Sequence, residues 1–262
     1  MRDTADNVGY TMGPTLNKIH MEDPWRWLAA GWTDYTQNMR SSMAYGAVFS
    51  IITAFILWGL AQTDQLALFL VLASGFMLVS PIFAVGLYEA SRRLELGEKI
   101  TLKQMILVYT QAPMQLAYLG LLLCSIFMVW VRVATLVYAL FFGTSHFPPL
   151  DEVLPMILNS SNGAWMLAVG TGIGAGFAVV VFTASAISIP MIMRREVDFV
   201  TAVVTSVRAV RDNIKPMFLW AWLIMLFTTF GMTTLGLGML VVYPLIGHAT
   251  WHAYRSFVPR KE

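Results

Sequence analysis

Charge is the scarcest commodity in this chain. Only 12% of its 262 residues are Asp, Glu, Lys or Arg, where a soluble domain carries about a quarter. With 57% hydrophobic residues, that shortage excludes a body coated by water on all sides, so much of the surface must face lipid. A net charge of +2 is too small to make nucleic acid a partner. The single cysteine, Cys124, excludes an intramolecular disulfide; it lies in an apolar run and reads as an inert thiol. Met1 to His20 contains no apolar h-region, so no cleavable signal is expected and the first membrane segment should stay in the mature protein. No apolar run carries a mid-depth Asp, Glu or Lys, which counts against a proton-coupled transporter.

What is abundant is long apolar runs. A spanning helix needs about 20 mostly apolar residues. Such runs lie at about 42–61, 66–87, 114–138, 164–192, 214–230 and 233–252. The last two form one stretch, which we divide at Gly231-Met232-Thr233-Thr234. The fold class expected is all-α and integral to the membrane, with six transmembrane helices. A polar tail (1–22) precedes the single membrane domain (23–258), and a basic end (259–262) follows it.

Lysine and arginine resist translocation and collect in cytoplasmic loops. Under the six-span partition, sixteen of the seventeen basic residues fall on one side, Arg132 being the exception. Both termini are therefore expected in the cytoplasm. Tryptophan prefers the membrane boundary. Trp25, Trp27, Trp32, Trp220, Trp222 and Trp251 fall at expected cytoplasmic ends, and Trp58, Trp130 and Trp165 at outer ends.

A three-fold internal pattern runs through the chain. Asp23, Thr101 and Asp198 each read as the cap of a short amphipathic helix before a pair of spans. The apolar faces expected are Trp25, Leu28, Ala29, Trp32 and Met39; Leu102, Met105, Ile106 and Tyr109; and Phe199, Val203, Val207 and Val210. Such helices lie in the plane of the cytoplasmic leaflet. Asp23 and Asp198 each precede an asparagine by the same interval, reaching Asn38 and Asn213. Pro81, Pro190 and Pro244 recur near the cytoplasmic end of the second span of each pair. The pattern reads as three hairpins, each led by an interfacial helix. It suits a transporter built from repeats and a scaffold equally.

Few residues offer chemistry. Arg132 lies near the outer boundary, where it can snorkel to the headgroups and pair with Asp151 or Glu152, or meet a lipid headgroup or a partner's carboxylate. His248 and His252 stand four apart on one helix, so their rings can share a face and bind one metal. They cannot be the two axial ligands of one haem, and packing at the boundary accounts for them without a metal. Gly170, Gly172, Gly174 and Gly176 form two small-xxx-small pairs, where another helix of this chain or of a partner can approach closely. The loop from Thr144 to Gly163, with Pro148-Pro149 and then Asp151 to Leu158, should form a short helix on the outer surface. No catalytic constellation, resident cofactor or metal centre is expected.

Asp23-Pro24-Trp25-Arg26-Trp27-Leu28-Ala29-Ala30-Gly31-Trp32 resembles the opening of a bacterial integral membrane family of unknown function. Ala84 to Glu95, Ser188-Ile189-Pro190-Met191 and Gly247 to Arg255 resemble the same family, so the likeness runs from about Ile19 to Val258. Its members are described only as predicted integral membrane proteins, some labelled as cytochrome c oxidase subunits. The resemblance implies association with respiratory complexes and supplies no catalytic residues. The histidine set of an oxidase core is missing, so the catalytic subunit is excluded. The function expected is a non-catalytic accessory or assembly subunit in the bacterial inner membrane, with the lipid bilayer and other membrane subunits as partners. The competing reading is a small-molecule or ion transporter.

Overall fold

The structure is a computed structural model that describes residues 16–63, 68–143 and 150–258, except for the side chains at 70, 150, 151, 153 and 154. Helix is the regular structure throughout the described residues. A first group comprises α1 (Asp23–Gln37), α2 (Met39–Gln62), α3 (Leu68–Phe83) and α4 (Val85–Leu94). A second comprises α5 (Leu102–Ile106), α6 (Pro113–Phe142), α7 (Leu150–Leu158), α8 (Ser161–Ser185) and α9 (Ser188–Arg194). A third comprises α10 (Phe199–Asp212), α11 (Ile214–Thr233) and α12 (Met239–Phe257). Each group thus opens with a short helix, continues in a long apolar one and closes with a second long helix. In the first two groups that last helix is broken.

Two of the corners match in geometry. Asn38 ends α1 and opens α2 at φ −120°, ψ 35°; Asn213 does the same between α10 and α11 at φ −132°, ψ 42°. The Asn38 amide donates to Met105 Sδ at 3.8 Å, whereas Asn213 bonds locally to the backbone. The Asn213 side chain accepts from the Ile19 amide at 2.9 Å and donates to the Ala209 carbonyl at 2.9 Å. Asp198 caps α10 as expected, accepting from the Thr201 amide at 2.8 Å. At α5 the Gln104 side chain reaches back to the Thr101 amide at 3.0 Å, the return arm of a capping box. Asp23 departs from expectation. The residue at the cap is Glu22, and Asp23 sits in the first turn, accepting from the His20 amide at 2.7 Å. Pro24 explains this: its fixed φ seeds the first turn with no side-chain cap.

Among the described residues, four helical stretches are long and apolar enough to cross a membrane: Met39–Gln62, Pro113–Phe142, Ser161–Arg194 and Ile214–Thr233. A fifth follows if α3 and α4, bent by 41° at their break, count as one crossing. The turn after α11 spans Thr234–Gly238, just beyond the division at Gly231–Thr234, with Leu235 and Gly236 at positive φ. α12 is more polar than α2, α6, α8 and α11, and most of it is buried. A helix surrounded by protein has no need of a lipid-compatible surface.

α12 is the hub, packing along α1, α2, α4 and α11. Two glycines permit the closest of these crossings. A Cβ on Gly31 would lie 2.7 Å from the Ala249 amide nitrogen, and one on Gly247 would lie 2.4 Å from Leu87. The interior is densest toward the basic end of the bundle, the end where Arg92, Arg194, Arg195 and Arg255 gather; there Leu87, Met191, Ile192, Met193, Trp220 and Phe257 are fully buried. Away from it, α2, α6, α8 and α11 turn Phe55, Leu121, Val179 and Phe230 outward. Two of the short helices turn apolar side chains outward. α10 buries Ala202, Thr205, Ser206 and Ala209 and exposes Val200, Val204 and Val207. α1 buries Trp27, Leu28, Gly31 and Tyr35 and exposes Trp25 and Trp32. Outward-facing apolar residues are what a helix lying in a headgroup layer requires.

Candidate functional site

Polar side chains buried near the hub come from distant segments. His248 of α12 is wholly buried, with Nε2 2.9 Å from Ser42 Oγ of α2 and Nδ1 2.8 Å from Ser91 Oγ of α4. One ring thus ties three helices together. His252, one turn on, meets Asp34 of α1 at 2.8 Å. The two rings anticipated to share a face are engaged with separate partners. Among the described residues no group of three or more His, Cys, Asp or Glu side chains could hold a metal ion. Trp27 Nε1 donates to Ser256 Oγ at 2.9 Å, and its ring stands edge-on to Trp220 at 5.6 Å. These contacts fasten α1 to α12 and α11 to α1.

Beyond this node, the ends of α4, α9 and α12 surround a cavity of about 540 Å³. Arg92 and Glu95 come from the first, Arg194 and Arg195 from the second, and Trp251, Tyr254 and Arg255 from the third. Trp251 and Tyr254 are buried and form its floor, whereas Glu95 and Glu196 are exposed at its rim. Several of the charges are already paired. Arg92 forks onto Glu89 at 2.7 and 2.6 Å, and Arg93 adds a contact to the same carboxylate at 2.8 Å. Glu95 accepts from Trp251 Nε1 at 2.9 Å and lies 3.3 Å from Arg255. Arg195 bonds the Tyr254 hydroxyl. Arg194 has no hydrogen bond or ion pair among the described residues, and Arg92 is within electrostatic reach of it.

The glycine stripe divides. Gly170 and Gly174 face α6, where added Cβ atoms would meet Val137 at 3.9 Å and the Trp130 ring at 3.2 Å. Gly172 and Gly176 face away, with nothing within 4 Å of an added Cβ. Arg132 is exposed and makes no ion pair among the described residues; Glu152 is also exposed, and the Asp151 side chain lies outside them. Cys124 is exposed. α7 forms the short helix expected within 144–163, while His146 and Pro148-Pro149 lie outside the described residues.

Residues 68–194 match the model of a family described as predicted integral membrane protein (DUF2189). That segment is similar to a family of integral membrane proteins of unknown function. No curated protein and no solved structure matches the chain. The DUF2189 segment covers just under half of the chain. It runs from the start of α3 to the end of α9, so it contributes two of the cavity's three walls and the glycine stripe. The third wall, α12, lies beyond it.

The cavity is what sequence reading missed. Each of its arginines was accounted for by the cytoplasmic excess of basic residues, and nothing in the spacing brings Arg92, Arg194 and Arg255 together. The available signal was that Arg92 and Arg255 follow Pro81 and Pro244, respectively, by the same step.

Proposed function

We propose that this protein is a non-catalytic accessory or assembly subunit of an inner-membrane complex of the respiratory, cytochrome c oxidase type. In this reading it crosses the membrane six times as three hairpins, with the basic end and both termini in the cytoplasm. α3 with α4, α8 with α9, and α12 serve as the returning halves of the hairpins. α12, too polar to face lipid, crosses inside the bundle.

The observation that carries the reading is the division of the glycine stripe. Gly170 and Gly174 are used within the chain, whereas Gly172 and Gly176 leave the backbone of α8 open between exposed apolar residues such as Val169 and Val179. Membrane helices gain little from hydrophobicity against one another, so a bare backbone ridge is where a partner helix gains most from close packing. The interior histidines support a structural role, since their ring nitrogens bond Ser42, Ser91 and Asp34. For a transporter, the relevant space would be a polar one at lipid depth. The cavity between α2 and α3 measures about 50 Å³ and is lined by apolar side chains such as Phe49, Ile52, Phe69 and Phe76.

The test is purification from native membranes in mild detergent, with mass spectrometry and a visible spectrum of whatever is retained. The reading predicts other membrane subunits in fixed ratio, with haem absorbance brought by them. A chain that purifies alone from several mild detergents would refute it.

A further inference from the structure

We propose that the cavity between the ends of α4, α9 and α12 is a binding site for a phosphate group carried on a small organic body, with Arg194 as its principal ligand. The proposal does not depend on which complex the protein joins.

Arg194 carries most of the argument. A half-buried guanidinium has surrendered part of its hydration and ordinarily recovers the loss from a carboxylate. Here Arg194 has no hydrogen bond or ion pair among the described residues; Arg92 beside it is of like charge, and Glu89, the carboxylate within its electrostatic reach, is already bonded by Arg92 and Arg93. Arg195 and Arg255 complete a ring of four guanidinium groups drawn from three helices. The planar fork of arginine matches phosphate oxygens in bidentate fashion, which a lysine cluster would not.

Two features oppose an anion, and neither decides the matter. The three helices present their C-terminal ends, each carrying about half a negative charge, which the basic residues in their last turns offset. The rim also holds two carboxylates. Glu95 is engaged by Arg255 and Trp251, and Glu196 is exposed, where salt screens it most.

The volume indicates the class of ligand. About 540 Å³ is far more than a bare phosphate fills, and Leu96 and Val197 in its lining offer apolar surface to an organic body. Such a phosphate has two sources: the headgroup of an anionic phospholipid, or a soluble phosphorylated compound. The outward apolar faces of α1 and α10 place the basic end beside a headgroup layer, so both can reach the site.

The experiment uses the full chain in an uncharged detergent. One arm titrates inorganic pyrophosphate calorimetrically. The other adds phosphatidylglycerol or phosphatidylcholine to the micelles and counts retained lipid by native mass spectrometry. Saturable one-to-one binding of pyrophosphate indicates a soluble ligand, and selective retention of phosphatidylglycerol indicates a lipid. In either case Arg194→Gln should weaken binding about tenfold or more, the loss of one charge-assisted pair, and Arg194→Lys should restore part of it. Arg211→Gln, which removes an exposed charge paired with Asp212, should leave binding unchanged. If Arg194→Gln does not fold, Arg195→Gln reports on the same cavity. Failure of both probes to bind, or equal weakening by Arg211→Gln, overturns the proposal.

Discussion

Replacing His248 with alanine should loosen the whole bundle, because that ring closes three helices at once. The imidazole is fully buried, and its loss strands two serine hydroxyls, Ser42 and Ser91, which are themselves fully buried. An unsatisfied buried polar group costs about 1–3 kcal/mol. Each serine can recover part of this by turning to a carbonyl one helical turn back. Truncating the ring also leaves a cavity, which costs more as its surroundings fail to collapse. The total should be roughly 3–5 kcal/mol. At about 2–4 °C per kcal/mol for a domain of this size, the apparent Tm should fall by roughly 6–20 °C. Thermal unfolding of the purified chain in detergent, followed by circular dichroism at a fixed scan rate, reads this directly. Ser42→Ala and Ser91→Ala should each cost less than His248→Ala. The triple variant Ser42→Ala, Ser91→Ala, His248→Leu should recover stability relative to His248→Ala, since no polar group is then orphaned. A Tm for His248→Ala within about a degree of the unsubstituted protein would refute the claim that this node holds the hub together.

The two halves of the glycine stripe should respond differently to leucine. Gly174→Leu must displace Trp130, whose Nε1 donates to the Val71 carbonyl at 3.1 Å, so expression and Tm should both drop. Gly172→Leu meets nothing within 4 Å; the isolated chain should stay intact and lose only its co-purifying subunits, and a destabilised monomer would contradict that. At α10, Asp198→Ala should cost about 0.5–2 kcal/mol at pH 7, the usual worth of a side-chain cap. The Asp198 carboxyl is held below its ordinary value of 3.8 by its hydrogen bonds to Thr201. Its contribution is therefore fully present above that pH and is lost as the pH falls below it. The stability gap between Asp198→Ala and the unsubstituted chain should narrow in acid, and a gap that stays constant down to pH 2 would contradict the cap. The chain purified alone should carry no stoichiometric haem, and any complex that still assembles with His248→Ala should keep its visible spectrum; a Soret band lost from a complex of unchanged subunit composition would show a haem role for the pair.

Much of the architecture was legible because it is local. Apolar runs of spanning length and the Asp198 and Thr101 caps each follow from interactions within a few residues, and the asparagines at 38 and 213 stood out by their equal distance from Asp23 and Asp198. Asp23 misled because Pro24 starts the helix by fixing φ, which shifts the cap to Glu22. The buried side of α1 was harder to read, because both sides carry tryptophan. Which side packs is decided by Gly31, where the helix comes against Ala249, a contact between residues more than two hundred positions apart. The breaks at Ala84 and Ile187 follow the same principle. The prolines at 81 and 190 mark the neighbourhood of each, but the break itself forms where α4 and α9 turn to pack at the basic end. The arginine cavity was illegible because each of its members was already explained by orientation in the membrane, and only the fold assembles them.

The orientation of the basic end underlies the whole account, and site-directed cysteine labelling tests it most directly. In a Cys124→Ser background, single cysteines at Thr63, Ser145, Lys99 and Arg208 would be exposed to a membrane-impermeant maleimide in intact cells. The account predicts labelling at positions 63 and 145, and at positions 99 and 208 only after the membrane is opened. Labelling of position 99 or 208 in intact cells would contradict the six-span arrangement with its basic end in the cytoplasm.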